Sequence, residues 1–357
     1  MIKLTQNDTQ TTYLPAEWET QSGIQLTWPH AGTDWQPVLK DVEKCFIQIA
    51  RNIAKEEKVL IVTPCPNNVK QRIETWINMD NVIFLQCSTN DTWARDHGAI
   101  TIMHNNSPIL LDFKFNGWGN KYPYEYDNLI TIHGVRKGAL HGRYRDCSDF
   151  VLEGGSIESD GTGTLLTTSK CLLSNNRNNK KDKLEIESYL LSAFNLKRVL
   201  WLDHGYLKGD DTDGHIDTLA RFCSTDTIAY TQCTNPNDEH YPGLQLMEDQ
   251  LKDFRTISGK PYNLLPFPLP DPIIENGERL PATYVNFLII NNAVLYPTYN
   301  QTTNDKRVGE ILKEAFPNRK IIGVDCRVLI KQHGSLHCLA MQYPVGVLET
   351  NTSQIYQ

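Results

Sequence analysis

The sequence predicts an α/β fold, and three observations carry that reading. Helical apolar stripes alternate with short, continuously apolar, β-branched runs along the whole length; those runs have the composition and length of buried strands; and no break in composition divides the chain. Residues 38–55 form the first helix, with Val38, Val42, Cys45, Phe46, Ile49 and Ile53 at three- and four-residue intervals. It leads straight into a strand at 59–62. A second helix at 69–77 precedes a strand at 82–85. The alternation returns with a helix at 184–194 and a strand at 199–202, a helix at 244–254, and a helix at 305–316 followed by a strand at 321–324. Short strands are also predicted at 150–152 and 339–341. Residues 1–35, 112–150 and 257–283 read as long irregular stretches, which in a compact domain usually cover a site. The Pro-rich stretch 261–281 holds Leu, Phe and Ile and reads as packed chain, not linker. One domain, 1–357, is the expectation.

Composition narrows the function. The 357 residues carry 35 Lys+Arg against 42 Asp+Glu, with no basic block beyond the short stretch at 177–183, so nucleic acid is not an expected partner. Nine scattered cysteines without a C-x-x-C pair suggest neither a disulfide framework nor a ribbon-type zinc site. The N-terminal residues lack the basic start and apolar stretch of a signal peptide, and there is no apolar run of about 18 residues. A soluble, cytoplasmic protein with no membrane partner is expected. Assembly into a homo-oligomer is left open.

The residues that carry chemistry gather in four segments. Residues 331–338 read KQHGSLHC, which sets Cys338 after a Gly-containing turn and ahead of a buried strand, where a thiolate could be presented. Residues 209–217 read GDDTDGHID and supply His215 and Asp217. Four aspartates within eight residues repel one another unless a cation is recognised there. An EF-hand with Gly214 as its glycine would need acids at 209 and 220, where Gly209 and Ala220 stand. A zinc reading through His215, Asp217, His337 and Cys338 lacks the zinc-deaminase signature, since Pro64-Cys65 is followed by Pro66, Asn67 and Asn68. No metal is expected. An organic cation fits better: a planar guanidinium offers five donors that pair with carboxylates two at a time. Asp96, in Trp93-Ala-Arg-Asp96, and Asp217 are the natural pair to hold it. Glu153, ahead of Gly154-Gly155 at a strand end, is placed to fix and charge His215, as the third member of a triad does. Read alone, each residue also has an ordinary structural explanation.

Together these segments resemble the agmatine deiminase family, also called the bacterial (Porphyromonas-type) peptidylarginine deiminase family, of the guanidine-modifying superfamily. The resemblance runs through PAEWE at 15–19, STNDTWARDHG at 88–98, FNGWG at 115–119, LEGGSIESDGTGTLLTTSKCLLSNNRN at 152–178, GDDTDGHIDTLARF at 209–222, ATYVNF at 282–287 and HGSLHC at 333–338. The chain departs from many relatives in reading HGSLHC for GGNIHC and GGSIE for GGSIH. The resemblance implies a pseudo-fivefold α/β-propeller (pentein) of ββαβ-type units around a central site, with no cofactor. By matching position, Cys338 is the nucleophile, His215 the general acid and base, Glu153 its partner, and Asp96 and Asp217 the guanidinium clamp. Trp93, Trp118 and Asn286 fall in segments that line the substrate channel in relatives. The expected reaction converts agmatine to N-carbamoylputrescine and ammonia through a covalent thiouronium. Asp211 and Asp213 are expected to meet the second positive group of the substrate. The alternatives are arginine or peptidylarginine deimination, amine transfer through the same adduct, and an inactive binder of polyamine-like ligands.

Overall fold

The computed structural model describes residues 11–349 and 355–356. Among the described residues the strands form six sheets, and all but the small hairpin Ile274–Glu275/Glu278–Arg279 share one pattern, in which an antiparallel pair is followed by a helix and then by a strand parallel to the second of the pair. Ile100–His104 and Ser107–Lys114 pair antiparallel, and Arg143–Val151 returns parallel after the helix Ile130–Lys137. The same holds for Ile157–Ser159, Thr164–Thr168 and Arg198–Leu202 around the helix Lys183–Phe194. It holds again for Ala220–Ser224, Thr227–Gln232 and Asn263–Pro268 around Tyr241–Asp253, and for Leu288–Ile290, Ala293–Thr298 and Lys320–Asp325 around Thr302–Ala315. The fifth sheet is spliced from distant parts of the chain. Ala340–Pro344 pairs antiparallel with Gln21–Thr27, which runs parallel to Lys58–Thr63 after the helix Leu39–Ile53, and Val82–Gln86 extends the sheet. Each parallel return needs a crossover connection, which the intervening helix supplies.

The predicted helices form where their stripes lie. Leu39–Ile53 buries Val42, Cys45, Phe46, Ile49 and Ile53 on one face, and truncating Phe46 in that core would cost about 3–5 kcal/mol. Lys183–Phe194 starts with a capping box, in which Asp182 accepts from the Glu185 amide while Glu185 accepts from the Asp182 amide. The helix expected at 69–77 runs instead over Pro66–Ile73, because Pro66 provides an N-terminal start.

The three stretches read as irregular are only partly so. Residues 1–35 contain the strand Gln21–Thr27, residues 112–150 contain the helix Ile130–Lys137 and most of the strand Arg143–Val151, and residues 257–283 contain Asn263–Pro268. Arg143–Val151 hid because its sequence RYRDCSDFV is polar, and most of its side chains are exposed or half-buried. Residues 1–10 of the first stretch lie outside the described residues.

Candidate active site

The chemistry-bearing residues sit at equivalent places in the repeated units, on the turn just ahead of each first strand. Asp96 lies on Ala94–His97 before Ile100–His104, Glu153 directly precedes the turn Gly154–Ser156, and Asp217 lies on Ile216–Thr218 before Ala220–Ser224. Asn286 stands just ahead of Leu288–Ile290, and Cys338 lies on His337–Leu339 before Ala340–Pro344. Segments far apart in sequence thereby converge. A methyl group built on Gly155 would meet His215 Nδ1 at 2.6 Å, Asp96 Oδ1 at 2.8 Å and Asp217 Oδ2 at 3.2 Å. Only a glycine leaves room where these three charged groups face one another.

Cys338 is 6% exposed. Its Sγ lies 3.3 Å from the Asn286 amide nitrogen and 3.7 Å from Asp217 Oδ2. Burial pushes the thiol well above its ordinary range, and the carboxylates of Asp217 and Asp96 add to that, while the Asn286 amide opposes it. Asn286 also accepts from the His337 backbone amide at 2.8 Å and donates to the Asp217 carbonyl at 3.2 Å. It is fully buried and positions the cysteine turn.

The carboxylates differ in their partners. Asp96 accepts from the Gly155 amide and the Trp118 indole, both at 2.9 Å. Burial raises it to about 6 against the attraction of His215, with the Asp217 charge adding to the rise. Asp217 Oδ2 accepts from His337 Nδ1 at 2.8 Å, whereas its Oδ1 is buried with no hydrogen-bond partner among the described residues. Burial works against the Asp217 charge, but His337 outweighs it and holds the group below the usual carboxylate range. A buried oxygen kept ionised and unpaired is a vacancy for a donor.

His215 lies between Asp96 Oδ1, 3.6 Å from its Nδ1, and Glu153 Oε2, 3.9 Å from its Nε2. Burial disfavours its charge, yet Asp96, Cys171 and Glu153 together hold it well above the ordinary histidine range. Glu153 is therefore close enough to charge His215, but it does not grip the ring. Both its oxygens take Arg177 Nε, at 3.0 and 2.9 Å.

The cleft above Cys338 is lined by Trp93, Asp96, Trp118, Asp211, His333 and Gly334, with Asp34, Asp91, Tyr122 and Asp210 adding to its wall. Trp118 adopts a left-handed backbone, φ 54°, pinned through its indole to Asp96; strain of this kind persists where the surroundings enforce it. Gly334 packs so closely on the Trp93 ring that a methyl group there would come within 2.2 Å of it. Asp211 lines the cleft and accepts from Tyr122 at 2.8 Å. Asp213 does not line it. Its two oxygens are taken by Lys121 at 2.8 Å and Arg177 at 2.7 Å, so its expected place facing the substrate is corrected to a structural ion pair.

Sequence reasoning missed the support beneath the site. His337 places Nδ1 on Asp217 and Nε2 on Glu17, both at 2.8 Å. The ring thus bridges the two carboxylates and fixes Asp217 beside the cysteine. Glu17 also pairs with Arg221, which binds Glu158 at 2.6 Å. Glu17, Glu158 and His337 lie close enough together to suggest a metal site, but the Arg221 guanidinium bridges the two glutamates and supplies the balancing cation. Glu17 fell in PAEWE, which drew notice only as a matching segment. Arg177 falls in the short basic stretch at 177–183, which by itself gives no sign of a buried partner.

The chain matches the family described as Porphyromonas-type peptidyl-arginine deiminase over residues 13–344, and it belongs to that family. It is similar to a Cys-to-Ser variant of agmatine deiminase from C. jejuni, solved with substrate bound, at 40% identity and TM-score 0.88, covering 96% of this chain and 99% of that one. A protein from Porphyromonas gingivalis, provisionally named an arginine deiminase, is 45% identical with TM-score 0.90, covering 95% and 100%. The agmatine deiminase of Enterococcus faecalis is 27% identical with TM-score 0.85, covering 94% and 96%.

Proposed function

We propose that this chain is an agmatine deiminase, a hydrolase that converts agmatine to N-carbamoylputrescine and ammonia. The observation that carries the reading is the convergence of Asp217, Asp96 and His215 around Gly155, with Asp217 Oδ2 3.7 Å from the Cys338 thiol and Asp217 Oδ1 buried without a hydrogen-bond partner among the described residues. A guanidinium seated between Asp96 and Asp217 presents its carbon to Sγ. Its charge offsets the two carboxylates that hold the thiol neutral, so substrate binding promotes the nucleophile it needs. With the substrate bound the Cys338 thiol gives its proton to solvent, and its sulfur then bonds to the guanidinium carbon as one C=N π pair shifts onto nitrogen, giving a tetrahedral adduct. His215, already charged, gives its proton to a departing nitrogen, and the C–N bond breaks to release ammonia. Neutral His215 next takes a proton from water, which adds to the planar thiouronium carbon. The C–S bond breaks, leaving the ureido product and the thiol.

The walls favour agmatine over arginine. Asp34, Asp91, Asp210 and Asp211 line the cleft together with Asp96, and no Lys or Arg is among its described lining residues. An ammonium is attracted there, and an α-carboxylate is repelled by an amount that can reach several kcal/mol. The repeated sheet units, each offering a site residue ahead of its first strand, favour a pseudo-fivefold propeller in one domain around this cleft. No described helix is long and apolar enough to cross a membrane.

Ammonia release measured with agmatine, arginine and an arginyl peptide tests the reading. Agmatine should give the highest kcat/KM, and Cys338→Ser should remove turnover by orders of magnitude with folding intact. Parity or a preference for arginine removes the substrate assignment, and an active Cys338→Ser enzyme removes the chemistry.

A further inference from the structure

His333 stands where the cleft meets a second space. Among the described residues it alone lines both the cleft above Cys338 and an open outer pocket of about 700 Å³, whose wall includes Lys208, Gly209, Ile274, Arg279 and Leu280. Cys338 and Asp96 are buried at the inner end of the cleft, whereas His333 is half-buried. The partition between the two spaces is thin, since Asp210 lines the cleft and Gly209 the outer pocket. The His333 ring completes it, with Nδ1 2.8 Å from the Gly209 carbonyl oxygen. That oxygen can only accept, so Nδ1 carries a proton and donates it across the gap.

The wall is held from several sides. Lys331 pairs with Glu275 of the hairpin at 2.7 Å, Gln332 donates to the Asp34 carbonyl at 3.1 Å, and Gly334 abuts the Trp93 ring. His333 itself takes a left-handed backbone, φ 66°, which is uncommon for any residue but glycine. A side chain kept at such a position, and pinned by its ring, points to a use for that ring. We propose that His333 is a specificity-determining residue that ends the cleft on its outer side and limits the length of the substrate. Resting on the deiminase reading, this role adds a length limit to the preference for charge: a guanidine on a four-carbon amine fits, and longer guanidinoalkylamines are excluded. A chain that overruns a pinned wall must bend or displace it, and a misfit of even one methylene costs about 10–200-fold. Removing the ring joins the two spaces and gives the longer chain a place to lie.

Ammonia release from agmatine and from guanidinooctylamine, which is four methylenes longer, tests the role. The wild-type protein should favour agmatine by about 100-fold or more in kcat/KM. His333→Gly should narrow that ratio to below about tenfold, and glycine suits the left-handed backbone, so the variant should fold. His333→Asn, which also tolerates that backbone but carries a smaller side chain, should fall between the two. A purely structural role would lower both substrates together and leave the ratio unchanged. Where His333→Gly turns over too slowly to measure, the affinities of both amines for Cys338→Ser protein, with and without His333→Gly, give the same ratio. Equal efficiency on the two substrates in the wild type, or an unchanged ratio in both variants, overturns the proposal. No ammonia from agmatine with the wild-type protein removes the deiminase reading and this role with it.

Discussion

Asp96 is expected to cost the fold what it gives to the reaction, and Asp96→Asn separates the two. Folding raises the carboxyl from 3.8 to about 6, chiefly by burial. A raised acid contributes stability that is fully present below its unfolded value and lost as pH climbs through its folded value, because the native state there holds a proton the unfolded chain has released. Two units at about 1.4 kcal/mol each make the loss about 3 kcal/mol between pH 4 and pH 8. Asparagine does not titrate, so the variant lacks that loss. It retains one side-chain carbonyl oxygen for the two donors that Asp96 satisfies, the Gly155 amide and the Trp118 indole, which costs about 1–2 kcal/mol at every pH. The variant should thus be less stable than wild type at pH 4 and more stable by about 1–2 kcal/mol at pH 8. At about 2 cal/mol/K per residue, the swing in relative Tm across that range is roughly 4 °C. Thermal unfolding of both proteins at unit pH steps reads it directly. Turnover of agmatine by the variant should fall steeply, with KM raised, since half the charge opposite the guanidinium is gone. A Tm difference that stays flat from pH 4 to pH 8, or a stabilised variant with full activity, would refute the reasoning.

Three further outcomes follow from the same geometry. Iodoacetamide should alkylate Cys338 in the free protein slowly at pH 7 and about tenfold faster per pH unit up to pH 9, because burial, Asp217 and Asp96 keep the thiol protonated; a plateau below pH 8 would contradict this. Gly155→Ala should cost about 100-fold or more in kcat by displacing His215 and Asp96, whose atoms lie 2.6 and 2.8 Å from the added carbon; wild-type turnover would show that the pair tolerates displacement. Glu17→Gln should destabilise the protein by about 3–5 kcal/mol in urea unfolding, because it removes one of the two counter-charges of the buried Arg221 guanidinium and the carboxylate acceptor of His337 Nε2; a loss under 1 kcal/mol would mean that Glu158 balances Arg221 alone.

The residues legible in the sequence and those that stayed hidden differ in a physical way. Cys338, His215, Asp96, Asp217 and Glu153 stand on turns ahead of buried strands, and a turn that bears a charged or nucleophilic side chain next to glycines has a local signature. Glu17 and Arg221 have none, since their meaning lies in each other: the chain between Glu17 and His337 spans 320 positions, and only the fifth sheet, which joins Ala340–Pro344 to Gln21–Thr27, brings them together. The same distinction governs the fold. Helices such as Leu39–Ile53 announce themselves by an apolar stripe, whereas Gln21–Thr27, QSGIQLT, is a strand because Lys58–Thr63 and Ala340–Pro344 flank it on either side. Asp213 shows the converse error. Its neighbours in sequence made it look like part of an acidic recognition patch, but Arg177 and Lys121 arrive from other segments and neutralise it. Asp211, with no Lys or Arg paired to its carboxylate among the described residues, stays on the cleft wall. An acidic cluster read from sequence thus divides into those aspartates that the fold pairs and those that it leaves for a cation from outside, and here that division points to a substrate charged at both ends.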